Sequence, residues 1–576
     1  MSLQNKKNVI VVVVDSLTYK RLGVAGQRPS PSPVIDSLAS SSLSLTNCFA
    51  AGCPTDFSLP SLMTSSLPLD FGGCTYGLKN RPKALAEVFK ENNYHTVFFK
   101  CNELPEHWGY HRGYQEVYGF FDISIFHLDI ILYTRFYRNL YRLADGSCKK
   151  YLQDCAEYLA VTLSDIHSYC KDMEAFLKDG VMTPSLMMHD HNFSLMDQLV
   201  QEELNKLKVD PEKYVRDIWA SVESSNAGLD QIFSLVASQT KNAKTARVDK
   251  YAKILLALTY CQTYLSSLLK RVSKHVRWDC FSRLKGGQDV SVRYPSTGYL
   301  VDNLLSWIKE KGERPFFVWL QPMDVHELNF TSFDAKNAED RVRDEVKSSL
   351  RFYRKSLMNY NKYRGSLMYD YSISYVDHQL GRLVDSLKRQ DLWNNTIVLI
   401  TSDHGHTHVG WPIRTKSHVA THFFDELYHI PVIFTGGGIE HKNIDELCSS
   451  IDITPTLLGL AGIDSPPVFK GSNLNEKSNT PREYIMMEHM GKGLCDFGLK
   501  PIFVCIRNQT HKLVYMQPSP KEKQKGYIRE FYDLVKDPNE SENLVPVIGD
   551  LKEVNRMKNI AQQRIKQIYD ENGKSF

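Results

Sequence analysis

The stretch Asn8-Val9-Ile10-Val11-Val12-Val13-Val14-Asp15 decides the fold. A continuous β-branched run of this kind suits a parallel strand buried on both faces. It stops abruptly at an aspartate. Three more runs behave alike. Asn395-Thr396-Ile397-Val398-Leu399-Ile400-Thr401-Ser402 stops at Asp403-His404-Gly405-His406. Pro315-Phe316-Phe317-Val318-Trp319-Leu320 precedes Asp324 and His326. His95-Thr96-Val97-Phe98-Phe99 precedes Lys100 and Asn102. Helical patterns, such as Lys83 to Asn92 and Tyr369 to Gln390, fill the gaps. Alternating strands and helices predict an α/β fold, with a mostly parallel central sheet and helices on both faces. Ligands of such sheets bind at the carboxyl ends of the strands. Four strand ends here deliver Asp, His, Lys or Asn to that edge. A single acidic loop would mean only solvation.

The rest of the chain frames this core. Its 576 residues exceed one compact core. We read residues 1–122 and 292–474 as the two parts of the core, and 123–291 as a helical insertion. Residues 475–576 read as a small C-terminal subdomain with an antiparallel sheet, from strands Phe503 to Arg507 and Lys512 to Met516, then a final helix. The insertion is rich in helix formers, Tyr and charge. Its "ILYTRFYRNLYRL" places aromatics and arginines at helical spacing. That pattern suits packing on the sheet or, alternatively, peripheral contact with a lipid surface.

Composition excludes some classes. Hydrophobic content of 42% and charged content of 24% are ordinary for a globular protein. A net charge of +4 on this length argues against nucleic acid as a partner. The 12 cysteines lack metal-type spacing. Cys101, Cys261 and Cys505 sit in apolar surroundings, so free thiols in a reducing compartment are expected. The opening residues leave no room for a signal peptide, and no window reaches the ~20 apolar residues of a membrane span. Cytoplasmic localisation, peripheral to a membrane at most, is therefore the expectation.

The chemistry centres on "GCPTDFSLPSLMT", residues 52–64, which holds two candidate nucleophiles, Cys53 and Thr55. Ser58-Leu59-Pro60 reads as a helix start, with Ser58 near the cap and Pro60 in the first turn. Thr55, just before it, would face the positive end of the helix, where an ester anion is stabilised. A hydroxyl is a weak nucleophile at neutral pH and needs a metal to favour the alkoxide. Asp15, Asp403 and His404 are suitable ligands for Zn and, with added oxygens, for Mn, Mg or Ca.

An early strand ending in Asp, a nucleophile about forty residues later and a late "SDHG" together resemble the alkaline phosphatase and sulfatase superfamily. "HIPVIFTGGGI", "DITPTLLGLAGI" and "EFYDLVKDPNESENL" resemble its later motifs. The similarity spans about residues 8 to 120 and 295 to 545. Sulfatases use "C-x-P-S-R", oxidised to formylglycine; Cys53 departs from that pattern, since its proline follows at once and no arginine comes after. "T-D-F-S-L-P" instead resembles the "T-x-x-S-x-P" of phosphoethanolamine and phosphoglycerol transferases, with Thr55 as nucleophile. A threonine adduct, unlike a formylglycine hydrate, must be removed by a second in-line attack, which phosphorus tolerates.

The resemblance implies a metal set of Asp15, Thr55, Asp403 and His404. Ser16 stands where sulfatases often carry a second Asp, which implies one strong divalent cation and, at most, a second weaker site. "QPMDVHELNF" resembles the family "D-P-H-x-P-Y", implying His326 as proton donor or anion ligand, with Asp324 orienting it. The loop after the metal motif implies a further histidine, His418 first and His422 second. Lys100 and Asn102 resemble the substrate-side residues after the fourth strand; a lysine there neutralises a phosphate oxygen. Glu488-His489 falls where relatives carry a loop near the site. The expected function is a metal-dependent phosphotransferase or phosphodiesterase acting through phospho-Thr55 on a lipid- or glycan-linked ester. The alternatives are a sulfatase and a non-catalytic binder of a charged ligand.

Overall fold

A computed structural model describes residues 6–100, 108–119, 148–179, 193–223, 296–310, 314–327, 364–407, 422–476, 481–491, 495–547 and 551–573, with isolated positions between 130 and 146. It divides into two compact units. One comprises Met1–Phe120, Ser296–Phe330 and Arg354–Phe576; the other comprises Phe121–Pro295 and Thr331–Tyr353.

The first unit is built on an eight-stranded sheet. Its strands are β1 (Asn8–Val13), β2 (Leu43–Leu45), β4 (His95–Lys100), β5 (Glu116–Gly119), β6 (Phe316–Gln321), β7 (Thr396–Thr401), β8 (Val432–Gly436) and β9 (Lys442–Ile444), in the order β5-β4-β6-β1-β7-β8-β2-β9. β1 pairs in parallel with β6 on one side and β7 on the other, and β6 pairs in parallel with β4. The four strands whose ends carry polar side chains are therefore consecutive and point one way. β8 runs antiparallel to β7, and β2 antiparallel to β8.

Residues Val9 to Val14 are at most 1% exposed, as expected of a central parallel strand covered on both sides. One face, with Val9, Val11, Val13, Phe317 and Trp319, packs under Leu59, Leu62 and Met63 of the Thr55–Thr64 helix and Leu457 of the Ile453–Leu460 helix. The alternate residues Ile10, Val12, Val318 and Ile400 are equally buried. Beyond the sheet, Asp377 of the Arg364–Arg389 helix accepts the N–H groups of Val34 and Ile35, capping the Pro33–Ala39 helix.

A two-stranded pairing joins β3 (Cys48–Phe49) to β10 (Cys448–Ser449). The C-terminal part is an antiparallel meander of β11 (Ile485–His489), β12 (Ile502–Arg507), β13 (His511–Gln517) and β14 (Tyr527–Asp533). The Lys552–Glu571 helix closes its core with Val554, Met557, Ala561, Ile565 and Ile568. This is the mostly parallel α/β sheet with a small antiparallel C-terminal sheet predicted from the strand pattern.

In the second unit three helices, Lys149–Asp179, Phe193–Val209 and Pro211–Glu223, pack together, and Leu159, Leu163, Val200 and Val215 on them are fully buried. Most of the aromatic and arginine-rich segment 131–143 lies outside the described residues. No helix among the described residues is long and apolar enough to cross a membrane. Cys505 is fully buried and free, as expected of a core thiol; Cys101 and Cys261 lie outside the described residues.

Candidate active site

Three strand ends meet level at the rim. Val14 donates its N–H to Thr401 (2.8 Å), and Asp15 donates its own to Pro322 (3.0 Å). Ser16 then turns the chain in the left-handed region, at φ 65°. Its carbonyl accepts from the Tyr369 hydroxyl at 2.5 Å, and that oxygen accepts the Thr18 N–H at 2.8 Å. Ser402 bridges the carbonyls of Val14 (2.7 Å) and His404 (2.6 Å) through its hydroxyl. Past the metal motif Gly405 is obligatory, because a Cβ there would sit 2.2 Å from the Glu426 carbonyl oxygen.

Against this rim stands the Thr55–Thr64 helix. Thr55 is its first residue and Pro54 precedes it, so the helix begins three residues earlier than the Ser58 cap expected above. Pro60 lies inside the helix, not in its first turn. Ser58 thus lies inside the helix, its hydroxyl 3.3 Å from both the Thr55 carbonyl and Asp403 Oδ2. The Thr55 hydroxyl donates to Asp15 Oδ2 (3.2 Å) and lies 3.3 Å from His404 Nε2.

The Asp403 carboxylate is held by the N–H of Ser16 (3.2 Å) and of His404 (2.8 Å), both on Oδ1. Asp15 accepts the Ser16 hydroxyl at 2.9 Å. His404 Nδ1 lies 2.8 Å from the Gly405 carbonyl. A carbonyl only accepts, so Nδ1 carries a proton and Nε2 is the nitrogen that faces the carboxylates and would bind a metal once it gives up its own proton. Nε2 is 3.5 Å from Asp403 Oδ2 and 3.9 Å from Asp15 Oδ1.

Asp15, Asp403 and His404 offer ligand atoms within 4.8 Å of one another, and they form the one such group among the described residues. All three are at most 1% exposed. Burial raises the Asp403 carboxyl above its ordinary pKa, and the neighbouring Asp15 charge adds to this. Burial alone would lower His404, but Asp403, Cys53 and Asp15 outweigh it and raise it well above 6.5. Two buried carboxylates compensated by no Lys or Arg among the described residues call for a cation. An imidazole lone pair and a hydroxyl complete a donor set that fits a divalent metal.

Other expected residues fall variously. Lys100 ends β4, 8% exposed, in register with Gln321 of β6. His326 sits half-buried in the Asp324–Glu327 turn. Asp324 Oδ2 accepts the N–H (2.9 Å) and hydroxyl (2.5 Å) of Thr297, which anchors the Thr297–Glu310 helix. His422 stacks on Phe424, with ring centroids 5.3 Å apart. Asn102 and His418 lie outside the described residues. Cys53 is fully buried, with its thiol in hydrogen-bond reach of His404. Glu488 carries structure: its N–H bonds the Ala51 carbonyl, and its carboxylate pairs with Arg564.

Sequence reasoning missed Ser58, Ser402 and Tyr369 as site supports. Only Ser58 left a signal, since residues three apart on a helix share a face with Thr55. Ser402 and Tyr369 act through backbone bonds that no motif displays.

Among curated relatives, an arylsulfatase of Clostridium perfringens is 30% identical over 32% of this chain and 36% of its own length. A Delta 4,5-hexuronate-2-O-sulfatase of Bacteroides thetaiotaomicron is 28% identical over 38% of this chain and 44% of its own. The matched stretch thus spans less than half of either relative. Among solved structures, the phosphonate monoester hydrolase of Agrobacterium radiobacter matches with a TM-score of 0.52 at 14% identity, covering 98% of this chain and 96% of that one. A protein solved in complex with D-glucosamine-2-N,6-O-disulfate matches with a TM-score of 0.53 at 12% identity, covering 98% of both chains. At such identities these two share the fold alone. The family profile described as Sulfatase matches residues 7–165 and 191–463, more than half of the chain, and the chain belongs to the sulfatase family.

Proposed function

We propose that this chain is a metal-dependent phosphodiesterase or phosphotransferase whose nucleophile is Thr55. The observation that carries the reading is the Thr55 hydroxyl at a helix start, 3.2 Å from Asp15 and 3.3 Å from His404. Asp15, Asp403 and His404, with Thr55 itself, would hold one divalent cation of the Zn, Mn, Mg or Ca group. When bound, that cation supplies positive charge for a developing alkoxide and for the ester anion.

The chain's own residues divide the remaining work. Asp15 orients the Thr55 hydroxyl through the hydrogen bond it accepts. Thr55 Oγ attacks phosphorus in line and gives its proton to Asp15 Oδ2, the oxygen it already faces, so that an Oγ–P bond forms and the bond to the leaving alcohol breaks. The leaving oxygen takes its proton from a histidine, for which His326 and His418 are the candidates. A second in-line attack, by water or by a sugar hydroxyl, breaks the Oγ–P bond and frees Thr55. Water makes the protein a hydrolase; a sugar hydroxyl makes it a transferase that decorates a lipid- or glycan-linked acceptor. Lys100, buried at the same sheet edge, suits a non-bridging oxygen of the ester.

Intact-mass measurement after exposure to a panel of phosphodiesters tests this. The expected result is a covalent adduct whose site maps to Thr55 and which a Thr55→Ala variant lacks. A second reading, hydrolysis of sulfate esters, is favoured by the family profile and by the names of the curated relatives. Turnover of 4-nitrophenyl sulfate well above that of bis(4-nitrophenyl) phosphate would favour it. Absence of any ester turnover that depends on Thr55 or on added metal would leave a binding protein.

A further inference from the structure

We propose that the side-chain carboxamide of Gln321 is a substrate contact of this site and reads a hydroxyl on the esterified arm, next to the charged group. The proposal rests on the ester reading above. Gln321 is the last residue of β6 and is fully buried. Among the described residues, neither its Nε2 nor its Oε1 has a hydrogen-bond partner. Buried amides ordinarily satisfy both ends, so a double vacancy asks what fills it.

Its position answers in part. The next residue, Pro322, accepts the Asp15 N–H at 3.0 Å, so Gln321 sits one residue below the rim that carries the metal ligands. Side chains alternate along a strand. Gln321 therefore continues the row of Phe317 and Trp319, the face packed under Leu59 and Leu62 of the nucleophile's helix. Across the ladder it is in register with Lys100, and residues paired in this way present their side chains on one face. The carboxamide thus lies between the rim aspartate and the lysine, on the side of the sheet that bears Thr55.

Chemistry then selects the ligand. The oxygens of a phosphate or sulfate anion only accept hydrogen bonds. They would satisfy Nε2 and repel Oε1. An alcohol hydroxyl both donates and accepts, so it satisfies both ends at once. With the anion beside Lys100, the hydroxyl belongs to the neighbouring carbon of a polyol or sugar arm. Plain alkyl and aryl esters offer no such group.

Two diesters with the same leaving group isolate the effect: glyceryl 4-nitrophenyl phosphate and methyl 4-nitrophenyl phosphate. Calorimetric titration of the Thr55→Ala protein reads binding without turnover. We expect the glyceryl diester to bind about tenfold tighter, with Gln321→Leu collapsing the preference to near unity and changing methyl diester binding less than about threefold. Gln321→Met, of similar volume, should act alike and guards against a folding defect in the first variant. In the Thr55 background the same collapse should appear in the kcat/KM ratio. Glycerol 1-sulfate against methyl sulfate repeats the comparison for a sulfate anion. A preference that survives both substitutions, or a protein with no preference to lose, overturns the role of Gln321 while the ester site stands. Binding of none of the four compounds overturns the ester reading itself, and Gln321 with it.

Discussion

Two buried carboxylate clusters in the same compact unit behave in opposite ways. At the C-terminal sheet, Asp425 lies between Lys512 Nζ (2.6 Å) and Arg507 Nη2 (2.8 Å), and Lys512 also pairs with Glu540. Burial opposes ionisation of Asp425, yet Lys512 and Arg507 overcome it and hold the carboxyl far below its ordinary pKa. At the rim, Asp15 and Asp403 meet with only an imidazole between them, and the Asp403 carboxyl is pushed up. The first cluster neutralises itself from its own sequence. The second is charge-deficient until a cation arrives. Structural ion networks and functional sites both bury charge; what separates them is whether the protein supplies the counter-charge.

The largest expected effect tests this division from the chemical side. Thr55→Ala removes the oxygen proposed to attack but no charge, so ester turnover should fall by about 10⁴-fold or more. The melting temperature should stay within a degree or so of the parent. Lys512→Met is the converse test. It strands Glu540, leaves Asp425 to Arg507 alone, and should lower stability by about 3–5 kcal/mol by denaturant titration, because an uncompensated buried charge remains. Turnover per folded molecule should not change. If Lys512→Met spares stability while abolishing turnover, the two clusters have been assigned the wrong way round.

Metal loading gives the next contrast. A divalent cation at 100 times its dissociation constant stabilises the fold by about 2.7 kcal/mol, and Asp403→Asn should cancel that gain. The effect should depend on pH in a direction set by the rim. His404 has a raised pKa in the metal-free fold, so its stabilising protonation is fully present below 6.5 and is lost as pH rises through the raised value. Asp403, also raised, acts likewise from 3.8 upward. Protons and metal compete for the same atoms. Melting curves with and without metal should therefore diverge as pH rises and converge as it falls. Asp425 runs the other way: its contribution is present above 3.8 and disappears on acidification in either form. A metal shift that grows toward acid pH would contradict this account of the rim.

Legibility in the sequence divides along the same line. β1, β6 and β7 were readable because burial on both faces forces unbroken apolar runs, and the residues that end them stand out by contrast. Asp15, Asp403 and His404 come from such ends. The start of the Thr55–Thr64 helix was not readable. Ser58 and Pro60 carry the usual cap chemistry, but the helix already begins at Thr55, and the Ser58 hydroxyl faces a carboxylate 345 residues away, Asp403. Lys512 gives the clearest failure. In the sequence it is one more charged residue in a β-strand pattern, and only the fold brings it to Asp425 and Glu540. Local pattern reports what a segment buries; it says nothing of which distant charge meets it.

The smallest effect sharpens the comparison most, because it separates support from ligation. Ser58 touches Asp403 at 3.3 Å and lies outside the group whose ligand atoms converge. Replacing it with alanine removes one hydrogen bond from a carboxylate that keeps two others, from the N–H groups of Ser16 and His404. Outer hydrogen bonds of this kind orient ligands, and their loss typically weakens metal binding by about 10–100-fold. Ser58→Ala should fall at the low end, because Oδ1 remains fixed. The variant should need roughly tenfold more metal for half-maximal activity, yet regain nearly the parent turnover at saturation. Failure to regain it would mean that Ser58 takes part in the reaction itself. A metal requirement identical to the parent's would mean that the backbone alone aims Asp403, and that the Ser58 hydroxyl is a passenger at the rim.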